Sequence, residues 1–334
     1  MLKRSLIAVG VLAIVLVAAG AFVCLPKYTA RADSYVYLRS TCPPDSLYAR
    51  LDTLGSGFRP KALRLLAKAA RLKSVPAGRY RVDGLSTLGL LRKLRNGQQD
   101  PMRYNIPVVW TPEQFAARLG RAFCCDSAQF ATVFKDTALC RELGFAPEEI
   151  FCHIPADTYE FYWTISPQEF LKRMAKENTR YWTDERKSQA AKAGLSPEEA
   201  VVLASIVERE TANAAEKPTV AGLYLNRLKK GMKLQADPTV KYAVGDFGLR
   251  RILKRHLATD SPYNTYRVDG LPPAPISLPS KQSIEAVLNY QPSDYLFMCA
   301  KEDFSGTHNF AATGAQHAAN ARKYVEALNA RGIK

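Results

Sequence analysis

Apolar and polar positions alternate along this chain in several distinct rhythms, and each rhythm predicts an element. Residues Ser5 to Leu25 form an unbroken uncharged run behind Lys3 and Arg4. About 20 apolar residues at ~1.5 Å rise match the hydrocarbon thickness of a bilayer. The run is longer than the apolar part of a cleaved signal and lacks a well-placed small-residue cleavage site. It therefore predicts an uncleaved single-pass transmembrane anchor over 5–25. Positive charge ahead of the span puts residues 1–4 in the cytoplasm of the (inner) membrane and the remainder outside it.

Beyond the run, SYVYLRSTCPPDS alternates as an extended segment and stops at Pro43-Pro44. Helical spacing follows over Ser46–Leu51 and Pro60–Leu72, then a turn and short strand in PAGRYRVD, then a helix from Ser86 to the Asn96-Gly97 stop. These elements make a small α+β module, placed at 30–104. A strand in MRYNIPVVW leads to a helix over Thr111–Ala122, where Thr caps and Pro suits the first turn. Shorter helices are predicted over Ser127–Phe134 and Thr137–Leu143. Ser166 with Glu169, and Ser196 with Glu199, each carry the capping-box spacing that opens a longer helix. The rest mixes helices with Pro-rich loops and closes on a helix from about Ala311 to Leu328. The fold class is α+β: an anchor, a small module, and a larger mixed domain over 105–330.

The helix behind Ser196 is unusual. In VVLASIVERET, Val201, Ala204, Ser205 and Glu208 share one face, while Leu203, Ile206 and Val207 cover the others. A helix apolar all round is buried, yet this one carries Glu208 and, on the opposite side, Glu210. A carboxyl in such surroundings loses hydration, and its pKa rises. A general acid needs that shift to hold a proton near neutral pH. A glutamate paired with Arg209 or Arg227 is the structural counter-reading. The helix alone does not choose between Glu208 and Glu210.

Charge adds one constraint. The 334 residues carry 47 Lys and Arg against 31 Asp and Glu, a formal net charge of +16. That balance suits an anionic partner. No dense basic run interleaved with aromatics occurs, and an exported chain does not meet nucleic acid, so nucleic-acid binding is set aside. Among the seven cysteines no CxxC pair occurs and Cys152-His153 is isolated, which argues against a metal site. The cysteines read as small buried hydrophobes.

Downstream, amides, hydroxyls and rings collect in loops: Asn226-Arg227, Gln235 and Asp237 in LQADPTVKYA, and Tyr263, Asn264, Thr265 and Tyr266 in SPYNTY. GLPPAPISLPS and GTHNF follow, the latter with His308 and Asn309. Ordinary turn chemistry explains part of this. The same inventory also binds sugars, with hydroxyls held by planar polar groups and apolar sugar faces by rings.

Taken in order, LASIVERET, NRL, LQADPTVKYA, SPYNTY, GLPPAPI and GTHNF resemble the YceG-like endolytic murein transglycosylase family. PADTYEF, with Asp157 and Tyr159, resembles a further motif, with Ala156 inserted after its proline. GRYRVDGLSTLGLLRKLRNGQQDP looks like that family's small LysM-like module. The resemblance implies a membrane-anchored lyase, without metal or cofactor, that cuts peptidoglycan glycan strands internally and leaves 1,6-anhydro ends. It implies glycan strands, the membrane and peptidoglycan synthases as partners. It assigns catalysis to Glu208 and sugar binding to Gln235, Asp237, Tyr263, Asn264, Thr265, Tyr266, His308 and Asn309. Ser205, Glu210, Asn226, Arg227, Asp157 and Tyr159 take supporting places. The competing expectation is a non-catalytic, membrane-tethered wall-binding scaffold.

Overall fold

A computed structural model describes residues 2–24, 28–30, 35–56, 60–249 and 251–332. The chain divides into two compact units. Unit 1 takes Met1–Tyr104, Ala122–Cys124 and Glu160–Ile165, and unit 2 takes Asn105–Arg121, Cys125–Tyr159 and Ser166–Lys334. The mixed α+β composition is as expected.

Unit 1 begins with helix α1, Leu2–Cys24, followed by the two-residue strand β1, Thr29–Ala30. Strand β2 (Tyr35–Leu38), helix α2 (Asp45–Leu54), strand β3 (Gly55–Ser56), helix α3 (Pro60–Ala69) and strand β4 (Gly78–Arg81) follow. Helix α4 (Thr87–Arg95) and strand β5 (Met102–Asn105) come next. Strands β2 and β4 pair antiparallel with Val36 opposite Tyr80 and Leu38 opposite Gly78. Their period-2 pattern sends Val36, Leu38 and Tyr80 inward, where they meet Leu47, Leu51, Leu63, Leu90 and Leu94 from the helices. The Ser86 hydroxyl accepts from the Gly89 N–H and starts α4 where the sequence places it.

The expected transmembrane anchor over 5–25 is corrected. Among the described residues no helix is long and apolar enough to cross a membrane. The run does become helix α1, since an Ala-, Leu- and Val-rich segment closes its own backbone hydrogen bonds.

Unit 2 carries helices α5 (Pro112–Ala122), α6 (Ser127–Phe134) and α7 (Thr137–Glu142), a 3-10 turn over Pro147–His153, and strand β6 (Thr158–Phe161). Then come α8 (Pro167–Tyr181), α9 (Asp184–Ala193), α10 (Pro197–Glu210), α11 (Lys217–Lys229), α12 (Asp237–Val244) and α13 (Lys254–Leu257). Helix α14 (Lys281–Leu288), strands β7 (Phe297–Ala300) and β8 (His308–Ala311) and helix α15 (Gly314–Ala330) complete it. Both predicted capping boxes form, at Ser166/Glu169 and Ser196/Glu199. The last helix starts three residues later than its spacing suggests. Ala311 pairs with Phe297 in the β7–β8 ladder, and the Thr313 side chain caps α15 instead.

Helix α10 is the axis of the unit 2 core. Every residue from Ala200 to Val207 is buried, packed against α9, α11, α12 and α14. Ser205 is the one polar residue in that stretch. Its hydroxyl donates to the Val202 carbonyl at 2.7 Å and accepts from the Ile276 N–H at 3.0 Å. The Ser277 hydroxyl donates to the Ser205 carbonyl at 3.2 Å. The proline-rich loop is thereby stitched to the helix. On α11, Gly222 lets the backbone of Gln291 approach closely; a Cβ there would lie 2.4 Å from the Gln291 carbonyl oxygen. Gly222→Ala is expected to destabilise unit 2 by about 1–3 kcal/mol through overpacking against rigid backbone, read as a lowered urea midpoint.

Candidate active site

The two glutamates at the end of α10 lie on different faces and meet opposite environments. Glu208 shares the Ser205 face and turns toward the start of α14. Its Oε2 accepts from the Ser280 N–H at 3.0 Å, from the Ser283 hydroxyl at 2.6 Å, and from the Ser280 hydroxyl. Its Oε1 lies 3.2 Å from the Nζ of Lys217, a lysine only 4% exposed. Burial pushes this carboxyl up, but three hydrogen bonds and the Lys217 charge outweigh it. The net direction is below the ordinary glutamate value. The sequence-based expectation of a raised pKa at Glu208 is therefore corrected. A hydrophobic helix face says nothing about the donors that another segment brings to it.

Glu210 faces α11. Its Oε1 accepts from the Tyr224 hydroxyl at 2.5 Å. Burial pushes its pKa up to about 7, and the neighbouring Asp237 charge adds to the rise. The Tyr224 hydrogen bond and the Lys241 and Arg227 charges pull the other way without cancelling it. A carboxyl raised that far can hold a proton toward neutral pH, as a proton-donating group requires.

Glu210 lines a pocket of about 220 Å3 with Tyr224, Arg227, Gln235, Asp237, Tyr266 and His308, closed on its apolar side by Leu223, Leu234 and Met298–Ala300. Each polar wall residue is held from behind. Arg227 is buried; its Nε donates to the Leu296 carbonyl at 2.6 Å, and its Nη1 to the carbonyls of Lys233 and Leu234 at 3.1 and 3.0 Å. Nη1 also reaches Gln235 Oε1 at 3.2 Å. Gln235 has φ +52°, the left-handed region that non-glycine residues seldom occupy. That backbone is fixed by the Gln235 N–H donating to the Thr265 carbonyl at 3.1 Å and by the Arg227 bonds to the two carbonyls just before it. Local strain of this kind persists where surrounding structure imposes it, and it clusters at functional sites. The Tyr266 hydroxyl donates to Asp237 Oδ1 at 2.7 Å. The His308 N–H donates to Glu216 Oε1 at 2.8 Å, and its Nδ1 lies 3.1 Å from Glu216 Oε2.

The other predicted residues sit behind or away from this pocket. Asn264 and Thr265 are fully buried. Asn264 Nδ2 donates to the Leu257 and Thr259 carbonyls, and its Oδ1 accepts from the Tyr266 N–H, so it shapes the loop that presents Tyr266. The Thr265 hydroxyl accepts from the Ala236 N–H at 3.0 Å and meets Thr239 Oγ1 at 2.8 Å, tying that loop to the start of α12. Tyr263 packs on Tyr242 with ring centroids 4.8 Å apart. Asn226 donates to the Ser293 and Tyr295 carbonyls, and Asn309 to Glu302. Asp157 pairs with Lys281 at 2.5 Å, and the Tyr159 hydroxyl donates to the Pro155 carbonyl.

Sequence reasoning missed Tyr224, Glu216, Lys217, Ser280 and Ser283. Tyr224 had a usable signal: it follows the apolar run Val220–Leu223 and precedes Arg227 by three residues, and a buried tyrosine hydroxyl seeks a partner. Among the described residues no group of three or more His, Cys, Asp or Glu is arranged to hold a metal ion. Burial pushes the Cys140 and Cys152 thiols up, which keeps them inert.

An endolytic murein transglycosylase of Bacillus subtilis is 37% identical over 164 residues, covering 49% of this chain and 44% of that protein. One from Streptococcus pneumoniae is 27% identical over 294 residues, covering 78% of this chain and 52% of that protein. The chain thus spans about half the length of these curated relatives. The crystal structure of a putative YceG-like protein from Listeria monocytogenes superposes with a TM-score of 0.58 at 25% identity, covering 86% of this chain and 98% of that one. A family model described as the YceG-like family matches residues 43–323, and the chain belongs to that family.

Proposed function

We propose that this chain is a lytic transglycosylase acting within peptidoglycan glycan strands, with Glu210 as its proton donor. The observation that carries the reading is the pairing of a carboxyl raised to about 7 with a pocket walled by Gln235, Asp237, Tyr266 and His308. The naming of the curated relatives supports the reaction class.

A hydrolysing glycosidase ordinarily uses two carboxylates, one as acid and one as base or nucleophile. Here one suffices. Protonated Glu210 donates to the oxygen joining N-acetylmuramic acid to N-acetylglucosamine, and that C–O bond breaks. The resulting carboxylate takes the proton from the muramyl C6 hydroxyl. The C6 oxygen bonds to the anomeric carbon and closes the 1,6-anhydro ring, so no water is consumed and Glu210 ends protonated again. Holding the sugar so that its own hydroxyl attacks replaces an external nucleophile. Tyr224 supplies a hydrogen bond that strengthens as Glu210 becomes anionic, and Arg227 lends positive charge nearby. Gln235 and Tyr266 present fixed dipoles toward the pocket, where positive charge develops on the ring. Asp237, held by Tyr266, adds a negative charge that favours an oxocarbenium-like state. The substrate lies outside the cytoplasm, and there we place the working site.

The whole chain is incubated with glycan strands stripped of peptide, and the products are weighed. Ends lighter by one water than reducing muramic ends are expected. Reducing ends would make the protein a hydrolase, and intact strands would overturn the reading.

A further inference from the structure

A second pocket, of about 380 Å3, opens on another side of the last turn of α10 and shares no residue with the Glu210 pocket. Its walls include Val108, Val109, Trp110, Arg118, Arg121 and Arg209. Three of its side chains are guanidinium groups and none is a carboxylate. Arg118 and Arg121 stand three residues apart on α5, both exposed. The one carboxylate on α5, Glu113, is taken by Lys135 at 2.9 Å. Arg209 lies with its guanidinium carbon 4.1 Å from the centroid of Trp110, whose ring stacks on Phe247 at 4.9 Å and 25°. Among the described residues its buried Nε and Nη2 have no hydrogen-bond partner. Those two atoms form the edge with which a guanidinium grips both oxygens of a carboxylate. The adjacent Glu208 does not serve them: its oxygens are taken by Ser280, Ser283 and Lys217.

Buried donors left without acceptors are rare and costly. An arriving oxyanion would relieve that cost, and a guanidinium held flat on an aromatic ring presents its fork ready for the two oxygens of a carboxylate. We infer that this pocket is an oxyanion subsite of the substrate-binding surface, where Arg209 and Trp110 seat a carboxylate borne by the peptide substituents of the glycan while Arg118 and Arg121 draw it in. The inference rests on the glycan reading above. It adds that the enzyme distinguishes peptide-bearing strands from bare ones at a place apart from the acid.

Tryptophan fluorescence of the whole chain tests it without turnover, so failure here is separable from failure to cleave. The chain is titrated with a muramyl peptide carrying free carboxylates, with the same compound amidated at those carboxylates, and with inorganic pyrophosphate. The free acid is expected to bind and perturb the emission, with the change lost in Trp110→Phe. Amidation, or the surface double variant Arg118→Ala/Arg121→Ala, is expected to weaken binding about tenfold, as loss of a charge-assisted contact does. On peptide-bearing strands the double variant should raise KM with kcat unchanged, and on bare strands it should change neither. Equal affinity for the amidated compound, an unaffected double variant, or tighter binding of pyrophosphate would overturn the inference.

Discussion

Glu210→Gln is expected to lose about two to four orders of magnitude in kcat while remaining folded, because it removes the one group that gives and takes both protons of the proposed reaction. The substitution keeps the shape of the side chain and an oxygen to accept from Tyr224, so binding should survive. In the unsubstituted protein, activity should fall about tenfold per pH unit above about 7, as the acid loses its proton. The same substitution should alter stability, with a definite sign. Unfolded, Glu210 ionises near the ordinary 4.5; folded, it does so near 7. Between those values the native state keeps a proton that the unfolded state has released, so stability falls as pH rises through this window and stays lowered above it. A shift of that size corresponds to at most about 3 kcal/mol. Glu210→Gln removes the penalty, so the variant should gain on the parent between pH 5 and pH 8 in denaturant unfolding. A folded Glu210→Gln protein that still cleaves strands at the parent rate would end the assignment.

Glu208→Gln is expected to fail for a different reason. It leaves the Lys217 ammonium buried without its counter-charge and replaces the charged acceptor that Ser280 and Ser283 share with a neutral one. Breaking one side of a buried pair costs about 3–5 kcal/mol. The depressed pKa of Glu208 means that its contribution is present above about 4.5 and is lost as pH falls through its lower folded value. Lost activity in this variant should therefore track lost folding. Glu208→Gln/Lys217→Met removes both charges and should recover much of the stability, because the two changes couple. The recovered double variant should also recover activity. If it is folded yet inactive, while Glu210→Gln is active, the roles of the two glutamates are reversed.

The contrast between these glutamates marks how far the sequence was legible. Helix starts read well because a cap is a local event: Ser86, Ser166 and Ser196 each bond to an N–H three residues on. The burial of α10 read well because periodicity reports how many faces are covered. The placement of Glu208 and Glu210 on different faces followed from the 100° step alone. Which face would be dry did not. The donors that keep Glu208 charged come from Ser280 and Ser283, more than 70 positions away, and no local pattern encodes them. Asn264 and Thr265 are fully buried and outside the pocket lining, and their residue types alone did not show that. Buried amides and hydroxyls that find backbone partners build loops, and only the neighbouring Tyr266 is left facing the pocket.

The bonds of Arg227 bear on the order in which the protein becomes competent during synthesis. The acid and its tyrosine are complete by residue 224, but the arginine that braces the wall reaches the carbonyl of Leu296, and the wall itself takes Met298–Ala300 and His308. A nascent chain still short of those last segments possesses Glu210 without its enclosure. The pocket closes only once residues 296–308 have joined the fold.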